Sequence, residues 1–439
     1  MTQLNIADAG AAYVLATLTA GGYEAYYVGG CVRDAVLARP IKDIDIATSA
    51  LPDQVMACFA RTAPTGLAHG TVTVILEQGT YEVTTFRKEA QYEAFRRPAS
   101  VEYISDLTED LRRRDFTMNA MAMNMAHEVL DPFGGQEDLA SGVLRCVGAA
   151  EERFGEDALR MLRCIRFAST YGLEVEAKTW RALLEQAPLL RHIAMERVRS
   201  ELARMVEGPA PGRAVRLLIA SRLTAHLKKQ LPLPFELWLA HDDALDAVSA
   251  LAEPQTRWAL LLMLLETPAE TVRLALQELT FSRADTERIA GVLALREWLA
   301  AQLSGSGRTD AAAAAPDPAL LARVWKIGAV RRGTAAAHAL LDVLQAWPQP
   351  QKEARGELAR FQRYAVPLLV RHGRDWLAAM PCASLKELAV TGNDVAAELG
   401  RKPGPWMGGL LQQLLECAAL GELANKRDDL LQAARDAVM

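Results

Sequence analysis

The chain has 439 residues, of which 51% are hydrophobic, 23% charged and 6% aromatic, with a formal net charge of -5. That length and composition belong to a soluble chain of two to four domains and exclude both a miniature disulfide scaffold and wholesale disorder. The acidic balance means that any nucleic-acid partner is held by a local basic surface rather than by the field of the whole molecule.

From the N-terminus, residues 1–10 carry one acidic side chain, Asp8, and no basic cluster before an apolar run, which is not the pattern of a signal peptide. Strands are predicted over 25–28, 41–47, 71–76, 81–86 and 143–147, most of them bounded by Gly, Pro or Asp. Amphipathic helices are predicted between them, over 31–38 and 52–60. Beyond residue 150 strand alternation ceases and Ala, Leu, Glu and Arg dominate. The apolar run at 258–265 is closed by Arg257 and Glu266, well short of the roughly 18 residues of a membrane span. Residues 304–318, SGSGRTDAAAAAPDP, read as a linker or exposed loop. The six cysteines form no C-x-x-C pair, which argues against a disulfide framework and a zinc site and for the cytoplasm. His241-Asp242 lacks the further ligands of a metal-dependent phosphohydrolase.

The strongest constellation is Val28-Gly29-Gly30-Cys31-Val32-Arg33-Asp34 followed by Asp43-Ile44-Asp45. On a strand, Asp43 and Asp45 share a face about 7 Å apart while Ile44 enters the core, giving hard oxygen ligands for Mg2+. Glu82 is available as a third acid, with Val83 and Thr85 alternating around it. Such acids can hold a divalent cation at a phosphoryl displacement. Gly29 and Gly30, between a strand and a helix, let backbone N–H groups approach phosphate, and Arg33 can neutralise it.

These motifs, continued by Arg113-Arg114-Asp115-Phe116-Thr117-Met118-Asn119-Ala120, Asp131-Pro132-Phe133-Gly134-Gly135 and Glu156-Asp157-Ala158-Leu159-Arg160, resemble the class II tRNA nucleotidyltransferase and bacterial poly(A) polymerase family over at least residues 25–205. The stretch from Lys402 to Gly409 and its following helix resemble the tail of the Bacillus-like CCA-adding branch, which lacks an HD domain. The resemblance implies an α+β fold: a small polymerase-β-like nucleotidyltransferase head over 1–150, then an all-α neck (151–210), body (211–303) and, after the linker, body and tail (319–439) that bind tRNA. It implies metal-dependent, template-independent addition of CCA to the tRNA 3′ end from CTP and ATP. Asp43, Asp45 and Glu82 would be catalytic, the first two as metal ligands; Asp110, Arg113, Arg114 and Asn119 would recognise ribose and phosphate.

The neck motif has its own chemistry. From 156 to 167 Leu159, Leu162, Ile165 and Phe167 keep a helical period while Arg160, Arg163 and Arg166 share a broad face. Asp157 and Arg160, three apart, set an acceptor beside a donor fork. Cytosine and adenine each present an amine beside a ring acceptor, whereas uracil and guanine present the reverse, so this pair admits C and A. By resemblance Glu156 orients Arg160, and Arg163 and Arg166 contact base or triphosphate. The segment 88–98, R-x-E-x-x-Y-x-x-x-R-R-P counted from Arg87, resembles the flexible loop that CC-adding relatives have largely lost, though Ala94 stands where many relatives have Asp. A-only addition and poly(A) synthesis therefore stay open beside full CCA addition. No G-[RK]-[RK]-F segment of the poly(A) branch is present. A decayed RNA-binding module is disfavoured because acids, glycines and arginines all persist.

Overall fold

The computed structural model describes residues 6–89, 92–93, 97–98, 101–304, 317–347 and 360–438. The chain divides into two compact units, Met1–Ala210 with Arg216–Gln230, and Pro211–Val215 with Leu231–Met439.

The first unit opens with α1 (Ala9–Ala20), whose N-terminus is capped by the Asp8 carboxylate; this oxygen accepts from Ala11 N–H at 2.8 Å and from the Tyr81 hydroxyl at 2.7 Å. Seven strands form one sheet. Near its centre β1 (Ala25–Val28) runs antiparallel to β2 (Asp45–Thr48), which lies parallel to β5 (Gly79–Thr85); β4 (Thr71–Leu76) and β3 (Thr62–Gly66) complete that side. On the other side stand the two-residue strands Ala122–Met123 and Val129–Leu130. Helices α2 (Gly30–Val36), α3 (Pro52–Cys58), α4 (Leu107–Arg112) and α5 (Gly135–Ala140) interleave with the strands. Ile46, Val72, Val74 and Val83 are fully buried on the sheet. Val28, Ala47, Phe86, Leu111, Ala120, Ala122 and Val147 pack as one cluster beneath the glycine turn.

Two strand expectations change, and an edge strand appears where none was expected. Residues 41–44 are not strand: β1 ends at Val28, the partner of Asp45, so the chain before Asp45 has no neighbour to pair with on that side. Asp43 therefore precedes β2 rather than sharing its pleat, and Ile46, not the half-buried Ile44, is the core residue. Over 143–147 the strand is reduced to Val143–Leu144, which pairs in parallel with Glu174–Val175 away from the main sheet, and Cys146 adds an isolated antiparallel bridge to Phe116. The edge strand β3 was hidden in sequence by Pro64 and Gly66, residues that an edge tolerates.

Four helices follow: α6 (Ala150–Glu156), α7 (Leu159–Tyr171), α8 (Ala177–Gln186) and α9 (Met195–Glu207). Leu159, Leu162, Ile165 and Phe167 are buried on α7 as their period implies. The second unit is helical in all its described elements. Trp325, on the helix Pro318–Arg332, is fully buried and donates from Nε1 to the Gly373 carbonyl at 3.0 Å. In the C-terminal cluster around Val395, Leu414, Leu415 and Leu430, Trp406 packs as a partly buried anchor. Among the described residues no helix is long and apolar enough to cross a membrane. Of the expected linker 304–318, Ser304 closes the helix Arg283–Ser304 and Asp317 caps the helix that Pro318 opens, because the Asp317 carboxylate accepts Ala319 N–H; residues 305–316 and the loop positions 90, 91, 94–96, 99 and 100 lie outside the described residues.

Candidate active site

The register of the sheet places the acids. Asp45, first residue of β2, lies beside Glu82 across the parallel β2–β5 pairing, and Val28 flanks it on β1. Both carboxylates are exposed, while Tyr81, Val83 and Thr85 turn the other way into the core. Burial of its surroundings raises the Asp45 pKa; Arg114 opposes that rise, and repulsion from Glu82 and Asp43 adds to it. Three carboxylates thus share one field, with the Arg114 guanidinium acting on Asp45 against it. Among the described residues no group of three or more His, Cys, Asp or Glu is disposed to enclose a metal ion. A Mg2+ site does not require such a cage, because this ion is commonly held by one or two carboxylates, substrate phosphates and water. Asp43 and Asp45 fit that role: they are open, oxygen-bearing and mutually repelling.

The glycine turn sets the cation against them. Gly29 has φ 73°, ψ -123°, a conformation that penalises any side chain. A Cβ there would stand 2.7 Å from Nη1 of Arg114. The absence of one lets the Arg114 guanidinium pack against the turn, where it contacts the Asn119 carbonyl at 3.4 Å and Asp110 Oδ2 at 3.5 Å. Its Nε is buried without a hydrogen-bond partner. Arg114 thus brings a positive charge to bear on Asp45.

Several residues expected to touch nucleotide have other partners. Asp110, 1% exposed, accepts from Nε and Nη2 of Arg113 at 3.0 and 2.9 Å and from Arg87 N–H at 3.2 Å, all at Oδ1. Arg33, 7% exposed, spends its fork on Asp34 at 2.9 and 3.0 Å and on the Asn119 side-chain oxygen at 2.7 Å. The Asn119 amide in turn donates to Asp115 at 3.0 Å. Asp115 accepts twice more from Arg163, at 2.8 and 2.6 Å. Burial alone would raise the Asp115 pKa; Arg163, Asn119 and Arg160 take it instead to about 2. Burial pushes Arg163 down, and Asp115 and Glu201 more than restore it.

The neck motif is assembled but internally partnered. Arg160 donates to Glu156 at 2.7 Å and to the carbonyls of Arg113 and Arg153 at 2.9 and 3.2 Å, so Glu156 sits where it can orient Arg160. The Asp157 carboxylate has partners other than the Arg160 guanidinium among the contacts seen, while Arg160 N–H donates to the Asp157 carbonyl at 2.9 Å. That carboxylate accepts Leu159 N–H at 3.1 Å, as a helix-start cap does, and is gripped by both Nη atoms of Arg197 at 3.2 and 2.7 Å. Arg166 donates to Glu201 at 2.6 Å, and Glu201 is only 3% exposed. Burial lowers Arg166, with Glu201 opposing. Sequence reasoning missed Arg197 and Glu201. Four apart on α9, they read as an ordinary solvated pair, and only the packing of α9 on α7 gives them partners.

Family models agree along the chain. The poly A polymerase head domain matches residues 25–145, the Probable RNA and SrmB-binding site of polymerase A matches 172–233, and tRNA nucleotidyltransferase domain 2 matches 369–434. The CCA-adding enzyme of Bacillus mycoides is 36% identical, over 96% of this chain and 96% of that protein. The Geobacillus stearothermophilus CCA-adding enzyme is also 36% identical, over 94% and 93%. The crystal structure of the Bacillus stearothermophilus CCA-adding enzyme in complex with CTP superposes with a TM-score of 0.73 at 32% identity, covering 98% of this chain and 96% of that one.

Proposed function

This chain belongs to the CCA-adding enzymes, template-independent tRNA nucleotidyltransferases that use CTP and ATP, and we propose how its own residues divide that work. Asp43 and Asp45 would hold the divalent cation, which we take to be Mg2+, with Glu82 adding negative charge at its edge. Such an ion, when bound, draws the RNA 3′-OH and the triphosphate oxygens together and offsets their charge. Arg114, lodged on the Gly29 turn, would neutralise the triphosphate, and Gly29 and Gly30 would leave their backbone open to it. Asp110 and Arg113 would fix Arg114 and the floor of the site. Arg33 and Asn119 would act by holding Asp115 and through it Arg163.

Asp157 and Arg160 would read the base edge, Asp157 accepting the amine of C or A and Arg160 donating to the neighbouring ring nitrogen. Glu156 would hold Arg160; Arg163 and Arg166 would border the base and triphosphate. We assign 1–150 to the catalytic head, 151–210 to the neck, 211–303 to the body and 319–439 to the tRNA-binding body and tail, and place the protein in the cytoplasm. The observation that carries the catalytic reading is the adjacency of Asp45 and Glu82 in β2 and β5, with Arg114 in their field. Asp45→Ala should abolish incorporation of both CTP and ATP while leaving the circular dichroism spectrum and melting curve intact, and Glu82→Gln should be less severe. Substantial turnover by Asp45→Ala at ordinary Mg2+ would contradict the assignment.

A further inference from the structure

Tyr171 ends α7, the helix that carries Arg160, Arg163 and Arg166, and nothing above gives it a part in the reaction. Its ring packs against two guanidinium groups, with Cζ of Arg33 4.4 Å and Cζ of Arg39 4.7 Å from the centroid. Its hydroxyl donates to Asp34 Oδ1 at 3.1 Å, the same oxygen that accepts Nε of Arg33 at 2.9 Å. All three partners belong to α2 or the chain just leaving it, and α2 begins at the Gly29-Gly30 turn. Ala38, between that helix and Arg39, takes φ 51°, a left-handed conformation unfavourable for a residue with a Cβ. Strain held at such a point needs a structure that over-determines it.

A second connection joins the same two helices. From Asp34 the hydrogen bonds run through Arg33 to Asn119, to Asp115 and back to α7 at Arg163. Phe167 lies inside this ring, with Arg33, Arg163 and Arg166 at 5.7, 5.1 and 4.0 Å from its centroid and Phe116 edge-on at 5.8 Å. Both limbs start from the motif residues Arg33 and Asp34; one returns through Asn119 and Asp115 to Arg163, and the other, through Tyr171 with Arg39 beside it, closes the ring at the far end of α7.

We propose that Tyr171, with Arg39, is a positioning residue that keeps the base-reading helix α7 in register with the phosphate-facing turn at the start of α2. The proposal rests on the reading of α7 as the base reader. A nucleotide gripped at both ends gains from both grips only if the distance between them is fixed, and a small misplacement costs large factors in rate. A loose register also lets a wrong base settle, because the polar groups meant to reject it can move aside. Cation–π contacts and a charge-assisted hydrogen bond suit the task, since they fix direction as well as distance.

The test measures kcat/KM for CTP and UTP on tRNA ending before CCA and for ATP on tRNA ending at CC, together with inhibition by inorganic tripolyphosphate, which lacks a base. Tyr171→Leu should raise KM for CTP and ATP about tenfold and raise the UTP to CTP ratio, leaving tripolyphosphate inhibition unchanged. Tyr171→Phe, which keeps the ring, should recover part of the loss. Arg39→Gln changes an exposed side chain, so it should fold even if Tyr171→Leu does not, and should shift KM and base choice in the same direction by less. A lowered Tm with unchanged KM and base ratio in these variants would overturn the proposal and leave Tyr171 a packing anchor. Asp157→Ala is run alongside. If it relaxes base choice while the Tyr171 and Arg39 variants do not, the proposal alone fails; if it too leaves base choice unchanged, the base-reader reading fails and takes the proposal with it.

Discussion

Arg113, Arg114, Arg160 and Arg163 look alike in sequence, and what each can do is decided by its neighbours. Arg113 and Arg160 are held by Asp110 and Glu156, Arg163 by Asp115, and Arg114 alone of the four has a buried nitrogen with no hydrogen-bond partner beside the acids. Asp157 carries two readings that differ in outcome. If it accepts the amine of C or A, Asp157→Ala should lower discrimination against UTP and GTP by orders of magnitude, at about 1.4 kcal/mol for each tenfold. If it serves only to cap Leu159 and anchor Arg197, its loss should cost about 1 kcal/mol of stability with base choice unchanged. Four-nucleotide kcat/KM values with a denaturation curve separate the two. Asp115 gives a pH dependence. Its pKa is held at about 2, below an ordinary value of 3.8, which corresponds to about 2 kcal/mol of stability. That contribution is complete above about pH 4 and is lost as pH falls through about 2, so the stability gap between the parent and Asp115→Asn should be widest at pH 7 and narrower at pH 3. A gap independent of pH would contradict it. The Glu156–Arg160 contact was legible in sequence through the family's Glu-Asp-x-x-Arg motif, although its partners close α6 and open α7 rather than share one helix. The Asp157–Arg197 grip was not, because its partners lie forty residues apart and meet only through packing.

At the scale of elements, the site depends on where β1 stops. Gly29 turns the chain into α2, which limits β2 to Asp45–Thr48 and leaves Asp43 on a free segment beside the strand end. Alternation in the sequence showed that Glu82 faces away from Val83 and Thr85, and the parallel pairing with β2 then brought it to Asp45. The length of β2 could not be read in the same way, since strand length is set by the partner's end rather than by its own residues. Gly29→Ala should destabilise the protein by about 1–3 kcal/mol through the backbone alone. It should also push Arg114 off the turn and raise KM for CTP and ATP together. Denaturant unfolding and steady-state kinetics read the two effects separately, and a stability loss with unchanged KM would remove Arg114 from the triphosphate site.

Over the whole molecule, the change from strands to helices near residue 150 is visible as a change of hydrophobic period, and the helical remainder was expected from it. The division between compact units, which runs through the helix Pro211–Ser221, leaves no such mark because the amphipathic period continues across it. All the proposed catalytic and base-reading residues lie in the first unit, so one site serves both C and A, and what it adds depends on the RNA end presented to it. The most direct measurement supplies purified protein with tRNA ending before CCA, at CC and at full CCA, each with one labelled nucleotide at a time. The account predicts CTP incorporation only on the first, ATP incorporation only on the second, none on the third, and completion of CCA on the first when both are present. ATP incorporation on the CC end with no CTP incorporation on the end before CCA, or an unbounded run of A on any of the three, would contradict it.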